Sequence, residues 1–460
     1  AAVALRQLVV LTRYAGRTHV AQQLSRYLFR RPAQLLCISF LAVIGFGAVL
    51  LSFPGASTAP GSLPLMDALF TATSATCVTG LIVLDTPVDF TLFGQTVIIA
   101  LCQIGGLGIM TISTFAAILM GRNIGLSGEY SLSRMIDETR VRRVYRLIVF
   151  ICLFTVVIEA AGAAALTLQF HARGMAWGEG VWQAVFHAVS AFCNAGFSLN
   201  SDSLVSFQQQ PGILMTMSLL IVVGGVGFGV LYWFWERLSG TRGKASFHVR
   251  AVLWTTAVLL AVGTAIAMAS EHDNAFAHLS YGDKWLNAWF YAVTPRTAGF
   301  NSVAMTGIRP FTQFFTMALM FIGAAPGSTA GGIKITTLLV LFMTVRAVMR
   351  GDTEVQGGGA CIVNATVFRA AAVLTLALTV CATGFLLLLA VEPYAPEKLA
   401  FETFSAFGTV GLSMGVTPHL SRIGKAVVIA LMFVGRVGPL TLVLSMRPMR
   451  TQRIFYPRAN

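Results

Sequence analysis

Charge is scarce in this chain. Asp, Glu, Lys and Arg together supply 11% of the 460 residues while hydrophobic residues supply 56%, a balance that excludes an ordinary soluble domain. Acidic residues are the scarcer sign, 18 against 32 Lys and Arg. In a soluble protein that net charge of +14 would point to nucleic acid; here the basic residues gather in the short polar segments between apolar runs, so no nucleic-acid partner is expected. Cysteine is sparse, odd in number at seven and scattered, which excludes a disulfide framework and any zinc spacing. The histidines lack metal spacing as well. No P-loop and no HExxH motif is present, and nothing else reads as catalytic, so the chain is not an enzyme and itself binds no nucleotide. The first 33 residues carry six Arg and no apolar stretch of signal-peptide length, and are expected to be a basic cytoplasmic arm.

What is abundant is long apolar sequence. Eight stretches are long enough to span a bilayer, at roughly 34–52, 92–119, 143–168, 211–235, 248–270, 311–345, 365–391 and 423–446. Starting inside puts most Lys and Arg in the cytoplasmic segments and most Asp and Glu outside, so both termini are expected in the cytoplasm. The basic inner face is suited to anionic membrane lipids.

Four glycines organise the polar remainder: Gly80, Gly196, Gly299 and Gly411. Ten residues before each stands an aromatic, Phe70, Phe186, Trp289 and Phe401; six before stand Ser74, Ser190 and Ser405, with Val293 the exception. Roughly 24 to 28 residues after each comes a second glycine cluster, beginning at Gly105, Gly224, Gly323 and Gly435. So many shared offsets define an internal repeat. Each copy reads as a spanning helix, a short helix, a glycine turn and a second spanning helix. The short helices begin near Asp67, Glu179, Asp283 and Glu397. About a dozen residues rise only ~18 Å, roughly half the hydrocarbon thickness, so such a helix enters the membrane and turns back. The acid at its start suits the positive end of the helix dipole and leaves the negative end aimed at the membrane centre, where a cation is stabilised. Irregular backbone at that depth must line protein or a wet cavity. The expected fold is therefore all-α and integral to the membrane: four tandem copies, eight transmembrane helices and four re-entrant pore helices in pseudo-fourfold symmetry. The turns would line a cation pathway with backbone carbonyls: Cys77, Val78, Thr79 and Gly80; Cys193, Asn194, Ala195 and Gly196; Thr297, Ala298 and Gly299; Thr409, Val410 and Gly411. Cys77 and Cys193 read as small packing residues.

Some residues break membrane rules. The run 323–334, GAAPGSTAGGIK, holds a proline, small hydroxyls and several glycines, so its span should break into two helices joined by an irregular segment. A gate is one reading, built from Gly323, Gly327, Ser328, Thr329, Gly331, Gly332 and Lys334; a static kink is the other. Lys334 either snorkels to the cytoplasmic side or contacts a pore-lining carbonyl. Arg436 sits within the last span, where an unpaired cation costs at least about 2.5–3.5 kcal/mol; it reads as a positive charge below the filter that sets the barrier to cations, or as a pin between helices. Arg296 is expected to brace its turn rather than touch an ion, and His187 to be a packing histidine. The partner of Glu159 cannot be read. The GGLG run at 105–108 and the GGVGFG run at 224–229 read as close-packing glycines inside apolar spans.

The stretches TATSATCVTGLIVLDT, QIGGLGIMT, AFCNAGFSLNS, TPRTAGFNSV, GSTAGGIKITT, FGTVGLSMGVTP and MFVGRVGPLT together resemble the Trk/Ktr/HKT superfamily of potassium transporters, and within it the bacterial Ktr-type membrane subunit. The resemblance covers about 34–446. It implies potassium (K+) uptake with a filter at the four glycines, an intramembrane gate at 323–334 facing Arg436, and a homodimer in the bacterial inner (plasma) membrane. It also implies a cytosolic ring of nucleotide-binding RCK subunits, on which ATP or ADP would act, and activation by sodium (Na+). A symporter coupling K+ to H+ or Na+ shares this architecture and stays open. The expected organisation is an arm at 1–33, copies at 34–119, 147–237, 238–350 and 351–446, a cytoplasmic loop at 120–146 and a basic tail at 447–460. The loop and tail are the expected docking surface.

Overall fold

A computed structural model describes residues 32–120, 132–240, 245–352, 354–357 and 360–446. The arm up to residue 31, the loop residues 121–131 and the tail 447–460 lie outside the described residues.

The described chain is helical apart from one hairpin. Its elements are α1 (Pro32–Leu51), α2 (Leu65–Thr76), α3 (Leu92–Met120), α4 (Leu132–Ala172), α5 (Trp177–Phe192), α6 (Pro211–Val226), α7 (Phe228–Leu238), α8 (Phe247–Glu271), α9 (Tyr281–Val293), α10 (Pro310–Phe321), α11 (Ile335–Arg350), β1 (Val355–Gly357), β2 (Ala360–Ile362), α12 (Asn364–Val391), α13 (Pro396–Gly408), α14 (Arg422–Val437) and α15 (Pro439–Met446). A long helix, a short helix and a further apolar helix thus follow one another four times.

The short helices α2, α5, α9 and α13 have 12, 16, 13 and 13 residues. Their C-terminal halves are almost wholly buried, with Phe70, Phe186, Phe290 and Phe401 fully enclosed. Proline or an extended residue starts each one, and Ser280 caps α9 by accepting from Asp283 N. Burial of small residues on all sides explains the sequence of these helices: Ala72 and Ala75, Ala188 and Ala191, Ala288 and Ala292, and Ala406 let neighbouring helices close around them.

Three described helices are long and apolar enough by themselves to cross a membrane: Ile148–Ala172, Phe247–Glu271 and Asn364–Val391. The expected spans in the second halves of the copies are less regular than the sequence indicates. The stretch read as one span at 211–235 is bent by 98° between α6 and α7. The bend falls at Gly227, whose φ of 92° is open to glycine and strained for other residues. The stretch 423–446 is likewise interrupted, at Gly438 with φ 89°, followed by Pro439. The break in the third copy lies where the sequence places it, between α10 and α11. Only α3 runs through its segment as a single helix.

The glycines at the start of the second clusters explain how these helices seat. A Cβ on Gly105 would run into Thr76 O, one on Gly224 into Phe192 O, and one on Gly435 into Phe407 O. Each glycine lets a second-half helix lie directly on the carbonyl end of a short helix, an approach that any side chain would prevent.

Candidate functional site

Each short helix runs into a turn with the same alternation of backbone hand. Val78, Asn194, Thr297 and Thr409 have φ of 56°, 58°, 76° and 50°, and two residues later Gly80, Gly196, Gly299 and Gly411 have 86°, 73°, 78° and 97°. Alternating left- and right-handed residues turn successive peptide planes so that their carbonyls face the same side of the strand. Three of the four non-glycine positions are β-branched, for which positive φ is rare and costs about 1–3 kcal/mol each. Such strain persists only where surroundings over-determine it.

Hydroxyls at the ends of the short helices do the holding. Ser74 Oγ accepts from Gly80 N at 3.1 Å, and Ser405 Oγ accepts from Gly411 N at 3.1 Å. Ser190 Oγ donates to Phe197 O at 2.7 Å, and Thr294 Oγ1 donates to Phe300 O at 2.5 Å. Thr294 therefore fills the place that the sequence leaves apparently empty at Val293. The third copy is shifted by one residue at this point, and its hydroxyl stands one position later.

The four glycines meet. A Cβ on Gly80 would come within 2.9 Å of Gly196 Cα, one on Gly196 within 3.1 Å of Gly299 Cα, one on Gly299 within 3.2 Å of Gly411 Cα, and one on Gly411 within 3.0 Å of Gly80 Cα. The ring closes in chain order. Beside these Cα atoms lie the carbonyl oxygens of Ala195, Ala298, Val410 and Thr79, the residues just before the next glycine round. All four glycines also line one cavity of about 160 Å³, together with Asp85, Ser198, Asn200, Asn301 and Ser413. The remaining expected members, Cys77 and Cys193, cap α2 and α5 as fully buried side chains.

At the carbonyl ends of the short helices lies the irregular segment between α10 and α11. It is folded on itself through a parallel bridge of Ile322 and Ile333, with Gly323 N donating to Ile333 O at 2.8 Å and Ser328 Oγ to Ala325 O at 2.6 Å. It is also fastened to the second copy. Thr329 Oγ1 lies 3.2 Å from Phe192 O and 3.1 Å from Gly224 O; Ala325 N donates to Gly225 O, and Phe228 N, freed by the bend at Gly227, donates to Gly327 O. Gly331 packs against the Thr409 side chain so closely that a Cβ would collide with it, and Gly332 lies near Gly408 O. Gly327 and Gly332 adopt φ of 67° and 62°.

Arg436, 4% exposed, joins this segment to the first copy: its guanidinium donates to Thr329 O and, at 2.8 Å, to Gly105 O. Lys334 Nζ turns back to Ala330 O at 2.5 Å and Gly331 O at 3.4 Å, both within its own irregular segment. Arg296 reaches Thr256 Oγ1 at 3.5 Å and thereby ties its turn to α8. Among the described residues Glu159 is partnered by an amide and a thiol rather than a cation: Gln103 Nε2 donates to it at 3.2 Å, and Cys193 Sγ lies 3.3 Å from Gln103 Oε1 and 3.9 Å from Glu159 Oε1.

The cation transport protein family TrkH matches residues 29–455. This chain belongs to that family. The chain is 41% identical over 429 residues to Ktr system potassium uptake protein B of Bacillus subtilis, covering 93% of this chain and 95% of the relative. It is 39% identical over 421 residues to potassium/sodium uptake protein NtpJ of Enterococcus hirae, covering 90% and 92%. The crystal structure of the potassium transporter TrkH from Vibrio parahaemolyticus superposes with a TM-score of 0.68, at 21% identity, over 89% of this chain and 85% of that one; this likeness shows the fold. The chain is thus an integral membrane protein of a transporter family rather than an enzyme.

Within this TrkH-family chain, several buried carboxylates escaped the sequence reading. Glu271 at the end of α8 accepts from Arg309 N at 3.0 Å and from Thr312 Oγ1, and Glu392 after α12 accepts from Ser421 N at 2.9 Å. Each secures the start of the helix after the next short one, α10 and α14 respectively. Their common position after a long apolar helix, in the third and fourth copies, was the available signal. Glu402, buried on α13, was missed as well.

Proposed function

We propose that the chain is the ion-conducting membrane subunit of a Ktr-type system for K+ uptake, with the ring of Gly80, Gly196, Gly299 and Gly411 as its selectivity filter. The observation that carries this reading is the closed ring itself: four strands of alternating hand bring their carbonyls and their glycine Cα atoms to one axis. Such oxygens replace the hydration shell of a weakly hydrated monovalent cation, and no side chain is needed to bind it. The names of the relatives, which are potassium and potassium/sodium uptake proteins, support K+ as the ion.

In this reading the chain comprises four tandem copies of spanning helix, re-entrant pore helix and second span, with both termini cytoplasmic. Copies that each cross twice share one orientation and can surround one axis along the membrane normal. The segment 323–334 is the gate and Arg436 its latch. The pore-helix carbonyl ends converge beside the ring and offer partial negative charge. A passing cation would use that place, and Arg436 occupies it with a fixed positive charge. Releasing Thr329 O and Gly105 O from the guanidinium would uncover it.

A homodimer in the bacterial inner membrane, a cytosolic RCK ring acted on by ATP or ADP, and activation by Na+ complete the proposal on the strength of the Ktr resemblance. The test is uptake by a bacterium lacking its own K+ systems, and flux from purified protein in liposomes. K+ flux set by the K+ gradient and membrane voltage, with preference over Na+, is the expected result. Flux that stops without an H+ or Na+ gradient would identify a coupled symporter instead, and absence of K+ flux in both assays would overturn the reading.

A further inference from the structure

The strand that follows Gly411 is fastened to a carboxylate in the pore helix before it. Glu402 is completely buried on α13, nine residues before Gly411. Its Oε1 accepts from Ser413 Oγ at 2.5 Å and Met414 N at 3.1 Å, and its Oε2 accepts from Thr417 Oγ1 at 2.6 Å. All three donors lie within six residues after the glycine. His187 stands at the same place in the second copy, nine residues before Gly196, and is also completely buried. Its Nδ1 lies 2.8 Å from Gln183 O; a carbonyl only accepts, so Nδ1 carries the proton and Nε2 accepts, from Ser198 Oγ at 3.0 Å or Asn200 Nδ2 at 3.4 Å. Ser198 and Ser413 each stand two residues after their glycine, and both line the cavity at the ring.

The other two copies lack this arrangement. Ile82 and Asn301 follow Gly80 and Gly299 by two residues, and Thr71 and Phe290 precede them by nine. Gly196 and Gly411 are not neighbours in the ring, so the two latched strands face each other across it. The four strands thus divide into two that a buried side chain of the preceding helix holds and two that lack one, and Glu402 makes the larger number of bonds.

We infer that Glu402 is a positioning residue for ion selection. Resting on the reading of the four glycines as a filter, the inference is that Glu402, through Ser413, Met414 and Thr417, holds the strand after Gly411 so that the fourth copy keeps its carbonyls at the ring. Since the three donors act through one carboxylate, removing the acceptor releases the whole strand, and removing the two side-chain donors, which leaves only Met414 N, should have nearly the same result.

The experiment measures K+ and Na+ uptake, as half-saturation and maximal rate separately, for Glu402→Ala, Glu402→Gln, the double variant Ser413→Ala with Thr417→Val, and all three alanine and valine changes combined. Gly411→Ala is measured alongside, and each purified protein is checked by thermal unfolding in detergent. Glu402→Ala should lower K+ over Na+ preference by about tenfold, the scale of losing bonds to one buried group, and should raise the K+ half-saturation. Glu402→Gln, which keeps one carbonyl acceptor, should lose less. The donor variant should reproduce Glu402→Ala, and the combined variant should add little to either. If Glu402→Ala does not fold, the donor variant carries the same test. A donor variant with unaltered preference, or a Glu402→Ala protein that loses maximal rate alone, overturns the inference. When Gly411→Ala shifts preference and the latch variants do not, the latch fails and the filter reading stands; when none of them shifts it, the filter reading itself falls.

Discussion

Gly80, Gly196, Gly299 and Gly411 answer two demands at once. Each takes a positive φ, and each stands where a methyl group would meet the backbone of the next copy. Alanine at any of them therefore adds backbone strain of about 1–3 kcal/mol and forces carbon against the neighbouring strand of the ring. Gly411→Ala is expected to reduce K+ uptake at least severalfold, and Gly411→Asp to abolish uptake or its preference for K+ over Na+. Gly178, in the first turn of α5 with open space around it, is the control: Gly178→Ala should transport like the parent protein. Equal uptake and preference in the Gly411 and Gly178 variants would remove the filter assignment. Arg436 is argued from partners rather than space. Its bonds to Thr329 O and Gly105 O hold the irregular segment against the first copy, so Arg436→Ala should raise K+ flux severalfold in liposomes. A folded variant with lower or unchanged flux would leave Arg436 as a structural pin.

Between elements, the second-half helices differ most from what the sequence conveys. The break between α10 and α11 is legible because Pro326 removes a donor and the surrounding glycines cannot sustain a helix. The bends at Gly227 and Gly438 are not, because a glycine in an apolar run reads equally as a packing site and as a hinge. Gly224 is the former, lying on Phe192 O, while three residues later Gly227 is the latter. The difference is decided by tertiary contact: at the bend, Phe228 N finds Gly327 O in the broken segment, and without that acceptor a free N–H at membrane depth would be costly. Thr294 and Glu402 were hidden for related reasons. A one-residue shift moved the hydroxyl off the common offset, and the partners of Glu402 lie beyond the glycine, outside its own helix. The offsets of the glycines themselves were fully legible, since no other residue type meets both of their demands. The broken segment thus joins the second, third and fourth copies and, through Arg436, the first. Deleting 325–332 is expected to raise the maximal K+ flux severalfold, measured in liposomes beside Arg436→Ala. A deletion protein that folds and conducts at the parent rate would make the segment a kink.

A ring of four tandem copies in one chain must close between the last copy and the first, where no peptide bond helps. Besides the bond of Arg436 to Gly105 O, two further polar contacts among the described residues serve that closure. Lys425 Nζ on α14 meets Asp67 Oδ1 on α2 at 2.6 Å, with side chains only 14% and 17% exposed, and Gln34 Nε2 on α1 donates to Ser445 O at 2.6 Å. The acid that the sequence assigns to the helix dipole therefore has a second task, pairing with a cation more than 350 residues away. A fully exposed pair would contribute at most about 1 kcal/mol. This one is partly shielded, and Lys425→Met should destabilise by about 1 kcal/mol or somewhat more, because it leaves Asp67 without its counter-charge. Asp67→Asn should be milder, since the amide oxygen still accepts from the ammonium. The charge swap Asp67→Lys with Lys425→Asp separates pairing from dipole: restored unfolding temperature in detergent would show that the closure depends on the pair, whereas a swap less stable than either single variant would show that the acid at the start of α2 acts through the helix end. Because the closure sits between Gly411 and Gly80 in the ring order, K+ over Na+ preference should follow the unfolding temperature across these variants. Preference that stays constant while stability falls would mean that the ring is held by its own strands, independently of how the chain is closed.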